Sequence, residues 1–156
     1  MVAGSAVTVY FEEMTDSVSQ IREIGGAVIF DTSGRLLLQL RDDIPGILYP
    51  GKVTLFGGHR EGNETFLECV VREIHEELSF FIPPERFEPI AQRTGPDKEV
   101  PGGMVRAEIF VTREVPVDKL LVTEGSLKIV RVDELGEIAG ELTPSALFGL
   151  RALSLV

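Results

Sequence analysis

Tryptophan is absent from this chain, cysteine occurs once, at Cys69, and histidine twice, at His59 and His75. Without tryptophan no ligand can stack on an indole. A single cysteine forms no internal disulfide and no cysteine-rich zinc site, and the two histidines do not support a His-based zinc centre. Basic residues are scarce as well: 15 Lys+Arg against 25 Asp+Glu leave a formal charge of −10. That balance argues against broad contact with a nucleic acid polymer or an anionic membrane. No apolar run reaches the about 18 residues that a bilayer-spanning helix requires. The first residues, MVAGSAVTVYFEEMTDS, carry no basic head and no apolar core of a signal peptide, so a cytoplasmic location is expected. What is present is ordinary globular composition, 44% hydrophobic and 26% charged over 156 residues. One domain covering 1–156, with a real core, is expected.

The chain is organised around residues 57–80, GGHREGNETFLECVVREIHEELSF. Leu67, Val70, Val71, Ile74 and Leu78 recur at helical spacing, which predicts a helix from about Thr65 with one apolar flank. Thr65 and Glu68 form the T-x-x-E pattern of a capping box. Glu68 and Arg72 stand four apart in the favoured acid-before-base order. Glu73, Glu76 and Glu77 occupy a second flank, where like charges at i, i+3 and i+4 repel by roughly 0.2–0.5 kcal/mol per exposed pair. Hard carboxylate oxygens gathered on one rigid element are what Mg²⁺ or Mn²⁺ prefers. Gly57 and Gly58, just upstream, remove side chains where a backbone carbonyl could turn to the same cation or a phosphate could approach. Read blandly, the same letters describe an amphipathic helix with a solvated acidic face.

Gly58, five residues, Glu64, seven residues, Arg72-Glu73, Ile74, any residue, Glu76-Glu77, any residue, Ser79, Phe80 resembles the Nudix box. Ser79 departs from it, since the family has glycine there, and the departure falls on the turn leaving the helix. Relatives also often carry tryptophan near Val53 and proline at Phe56, so substrate contacts at those positions are expected to differ. The resemblance implies an α/β fold, the Nudix-type α/β/α sandwich with a mixed β-sheet between helices. It implies divalent-cation chemistry with Mg²⁺, or Mn²⁺ as substitute, on a nucleoside diphosphate linked to another group. Glu73, Glu76 and Glu77 would then be metal ligands, with the main-chain carbonyl of Gly58 as a further one. Arg72 would orient a carboxylate of the cluster. Glu64 would reach the metal through water, or simply stabilise the helix N-terminus. Glu124, in TEGSLKIVRV, is the candidate general base and Glu99 the runner-up. Many relatives pair as homodimers, so a homodimer is open.

Elsewhere, strands are expected over residues 5–11, 22–30, 35–41, 86–94, 103–113 and 126–132, the acidic stretch up to about residue 20 being a connector. Asp31-Thr32-Ser33-Gly34 turns the second of these into a hairpin with the third. Arg41, at the end of that hairpin, is placed either to contact a phosphate or to pair with Asp42 or Asp43. The apolar loop 42–52 either packs down or forms part of a substrate pocket. His59 faces the candidate site after the double glycine, and His75, about 200° around the helix from Glu73, points away from it. Tyr49, Phe56, Phe80 and Phe81 could offer a stacking surface, although aromatics beside a core helix are usually core. The box helix is expected to stop at Pro83-Pro84. A short helix begins near Asp133-Glu134, and a last one follows Thr143, with Pro144 at its first position. Two functions from different classes fit: hydrolysis of a pyrophosphate bond, and a catalytically silent Nudix-fold module that binds a nucleotide or metabolite.

Overall fold

The computed structural model describes residues 21–156; the strand and connector expected within residues 1–20 lie outside the described residues. In chain order the elements are β1 (Ile21–Asp31), β2 (Leu36–Leu40), β3 (Val53–Thr54), β4 (Phe56–His59), α1 (Phe66–Leu78), β5 (Glu88–Pro96), β6 (Met104–Val115), β7 (Ser126–Val130) and α2 (Pro144–Ala152). Single turns of 3-10 helix at Pro84–Arg86 and Val117–Lys119, and a longer one at Val132–Glu141, complete the order. The last replaces the short helix expected near Asp133. No helix among the described residues is long and apolar enough to cross a membrane.

The sheet runs β3-β2-β1-β6-β5, with β4 added to β1 and β7 to β2. β1 and β6 are parallel, Ala27 opposite Phe110, whereas β1–β2, β1–β4, β2–β7 and β5–β6 are antiparallel. β1 is apolar from Ala27 to Phe30 because both of its faces are covered there. Alternation sends Val28 and Phe30 to one layer, with Leu36, Leu38, Val53, Ala146 and Leu150 beneath α2. It sends Ala27 and Ile29 to the other, with Leu37, Phe56, Val70, Ile74 and Leu78 beneath α1. Helices thus cover both sides of a mixed sheet, the α/β/α sandwich anticipated from the sequence.

The start of α1 is the expected capping box: Glu68 N donates to Thr65 Oγ1 at 3.1 Å, and Thr65 N donates to Glu68 Oε1 at 2.9 Å. Its end differs from expectation. The helix stops at Leu78 because Ser79 turns into the left-handed region, φ 53° and ψ 34°, ahead of Pro83 and Pro84. Thr143 caps α2 with Pro144 at its first position, as the sequence predicts.

Candidate active site

The catalytic candidates stand on β4, on α1, just after β2 and just before β7, around one cavity. β4 pairs antiparallel with β1, Gly57 opposite Gly26 and Gly58 opposite Gly25. A Cβ on Gly57 would lie 2.1 Å from the Gly25 carbonyl oxygen, so only glycine lets these backbones approach. A Cβ on Gly58 would lie 2.4 Å from the Glu73 carboxyl carbon. The double glycine therefore leaves the space through which the Glu73 carboxylate reaches the strand.

Arg72 organises the acids of α1. Its Nε and Nη2 form a fork on Glu64, at 3.0 and 2.6 Å, while Nη1 donates to Glu73 at 2.9 Å and to Glu76 at 3.4 Å. Nη2 also donates to the His59 carbonyl at 3.0 Å, tying β4 to the helix. The Arg72 hydrogen bond holds the Glu64 carboxyl down to about 2. Glu64 thus anchors Arg72, a role closer to helix support than to direct metal contact. Burial raises the Glu73 carboxyl despite its bond to Arg72.

Glu77 is the most enclosed acid of the cluster, 4% exposed. Gly57 N donates to its Oε1 at 2.8 Å and Gln39 Nε2 to its Oε2 at 3.2 Å. Burial, with the charges of Glu124 and Glu73 adding, pushes its pKa up to about 8 against the Gly57 and Gln39 hydrogen bonds. A buried carboxylate with two lone-pair sides and no cation beside it is costly to ionise, which fits a site built to receive a positive charge.

A cavity of about 470 Å³ opens here, and Gly58, His59, Glu73, Glu77, Arg41 and Glu124 all line it. The Nε of Arg41 is buried without a hydrogen-bond partner among the described residues, Asp42 and Asp43 included. Of its two expected roles, this leaves the side chain available to an anion in the cavity. The apolar loop contributes Ile47, Leu48 and Tyr49 to the wall, so it serves the pocket rather than packing alone. Glu76 stands apart: its side chain is 59% exposed and, among the described residues, its carboxylate is held by Arg72 alone. Among the described residues no three acidic, histidine or cysteine side chains converge on one point as they stand, because Arg72, Gly57 and Gln39 occupy their oxygens. The donor set, all hard oxygen with one buried carboxylate and a glycine-cleared approach, nevertheless fits Mg²⁺ by type.

Phe56 needs correction. It borders the cavity, but its side chain is fully buried against α1 and offers no ring to a substrate. Phe81 is exposed and packs edge-on against His75 at 5.6 Å, on the far side of α1 as expected for His75. Glu99 lines the cavity too, yet its carboxylate already accepts from the N–H and hydroxyl of Ser145 at the start of α2 and pairs with Arg22 at 3.4 Å. Sequence reasoning missed Gln39, whose amide also donates to the Glu124 carbonyl at 2.9 Å. Its one signal was a lone amide in the otherwise apolar LLLQL of β2.

The family model described as NUDIX domain matches residues 22–144. The chain belongs to the Nudix family. It is a Nudix hydrolase, and the family's general chemistry is cleavage of pyrophosphate linkages in small nucleotide-type molecules with divalent metal ions. No curated protein sequence matches the chain. Among solved structures, the Nudix fold is shared with a MutT NUDIX hydrolase from Burkholderia pseudomallei, at 24% identity and TM-score 0.65, covering 86% of this chain and 99% of that one. A MutT protein from Methanosarcina mazei Go1 has 24% identity and TM-score 0.67, with 85% and 92% covered. A MutT/nudix family protein from Enterococcus faecalis has 22% identity and TM-score 0.57 over 69% of this chain, which spans 42% of its length.

Proposed function

We propose that this Nudix hydrolase cleaves the pyrophosphate bond of a nucleoside diphosphate linked to a second group, with Mg²⁺ and with Mn²⁺ as a substitute. The observation that carries the reading is Glu77, buried and hydrogen-bonded on the wall of the cavity that Glu73 also lines, with the Glu73 carboxylate reaching β4 through the space left by Gly58. Glu73, Glu76, Glu77 and the Gly58 carbonyl would hold the metal. Bound there, Mg²⁺ supplies neutralisation of the pyrophosphate oxygens and acidification of water.

The remaining work falls to the chain itself. Arg72 ties the Glu73 carboxylate to that of Glu64 and limits its rotamers. Arg41 and His59, which line the same cavity, hold phosphate oxygens. Glu124 takes a proton from the attacking water. That water's oxygen forms the new bond to phosphorus, and the bridging anhydride oxygen leaves with the other phosphate.

Phosphate and nucleotide release from a panel of nucleoside triphosphates, nucleotide sugars and dinucleotides, with and without Mg²⁺, tests the proposal. Glu77→Gln is expected to lower kcat/KM by more than about a hundredfold, the several kcal/mol that metal stabilisation of the transition state supplies. Unchanged turnover in Glu76→Gln and Glu77→Gln would remove the assigned roles. Thermal stabilisation by the same panel without any turnover would assign the silent binding module instead.

A further inference from the structure

The segment that carries Glu124 is bolted to the C-terminal end of α1. A helix end leaves its last carbonyls without intrahelical partners. Here the chain before β7 satisfies them: Leu121 N donates to the Leu78 carbonyl at 2.9 Å, Thr123 N to that of Glu77 at 2.9 Å, and Thr123 Oγ1 to that of Glu76 at 2.9 Å. On its other side the segment meets β2. Gly125 adopts φ +65°, and a Cβ there would lie 2.5 Å from the Leu40 carbonyl oxygen. Gln39, 4% exposed, spans the remaining gap, with one amide nitrogen shared between the Glu124 carbonyl and the Glu77 carboxylate.

We propose that Gln39 and Thr123 are positioning residues for hydrolysis: together they fix the backbone of Glu124 against α1 and β2, so that its carboxylate faces the cavity lined by Glu73 and Glu77. This rests on the reading of Glu124 as the general base. A base must stand within hydrogen-bond reach of the proton it takes, and displacements near 1 Å cost about a hundredfold in rate. A residue on an exposed segment holds such tolerance only if its main chain is fixed. Thr123 supplies two ties to one element and Gln39 one tie to another. Neither is placed to touch substrate through its own tie, since both spend their donors on protein oxygens.

Thr123→Val removes the hydroxyl at nearly constant volume from an exposed position, and Gln39→Met removes the amide from a buried one. At saturating Mg²⁺ and substrate, each is expected to lower kcat about tenfold while KM changes less than about twofold. Thr123→Ser, which keeps the donor, should retain kcat. In a Glu124→Gln background Thr123→Val should cost less than about a further twofold, because the group it positions is already gone, and Gln39→Met should lose less than in the native background, keeping only the part that comes through its bond to Glu77. Hydrogen exchange without metal should quicken at the Leu121 and Thr123 amides in both variants. If Gln39→Met does not fold, Thr123→Val decides alone. An equal loss in the two backgrounds, or full kcat in Thr123→Val while Glu124→Gln is impaired, overturns the positioning role by itself. Full kcat in Glu124→Gln overturns the general base and, with it, this proposal.

Discussion

At Ser79 one departure from the family pattern has a measurable cost. The residue ends α1 in the left-handed region, φ 53° and ψ 34°, where a Cβ crowds the following carbonyl and costs about 1–2 kcal/mol relative to glycine. The Ser79 side chain is exposed and gives no cap in return. Ser79→Gly is therefore expected to stabilise the fold by about 1 kcal/mol, a rise of about 2–4 °C in Tm for a domain of this size. Differential scanning calorimetry of the two proteins reads this directly. An unchanged or lower Tm would mean that the extra conformational entropy glycine gives the unfolded chain outweighs the relief.

Among the elements, α1 was the most legible in the sequence because what defines it is local. Thr65 and Glu68 fix its start from three residues apart, and the acids and Arg72 fall within single turns. Thr65→Ala removes the side-chain acceptor of the Glu68 N–H and keeps the backbone N–H that the Glu68 carboxylate accepts from. It should cost about 1 kcal/mol in urea unfolding with an unchanged m-value. The helix end was less legible: two prolines in the sequence looked like the stop, whereas a single left-handed residue acts first. β3 and β4, two and four residues long, are too short to show any periodicity. The parallel pairing of β1 with β6 joins residues some 80 positions apart, and no local pattern records such a choice. The same holds for Gln39, whose partners at Glu77 and Glu124 are 38 and 85 residues away. Box chemistry could thus be read from the letters, while the supports that aim it come from tertiary packing.

Over the whole molecule, acidity and metal binding pull stability in opposite directions with pH. Glu64 and Asp97 lie below the usual carboxylate range through their hydrogen bonds to Arg72 and Arg22. Their contribution is complete above the unfolded values near 4 and is lost as pH falls through the depressed folded ones. Glu77 behaves in the reverse sense. With its folded pKa at about 8 against an ordinary value of 4.5, the folded state holds a proton that the unfolded chain has released, so stability falls as pH rises between those values. Each pKa unit is worth roughly 1.4 kcal/mol, so the ion-free protein is expected to be most stable near pH 5 and to lose a few kcal/mol by pH 8. A divalent cation that binds the ionised Glu77 reverses the loss, because the proton must leave before the metal enters. Thermal unfolding in chelator should therefore show Tm dropping from pH 5 to 8, whereas millimolar Mg²⁺ should add little at pH 5 and progressively more towards pH 8. Glu77→Gln should flatten both curves over that window, since the amide neither titrates nor binds the ion. A Mg²⁺ increment independent of pH, or one that survives Glu77→Gln, would place the ion elsewhere than on this buried carboxylate.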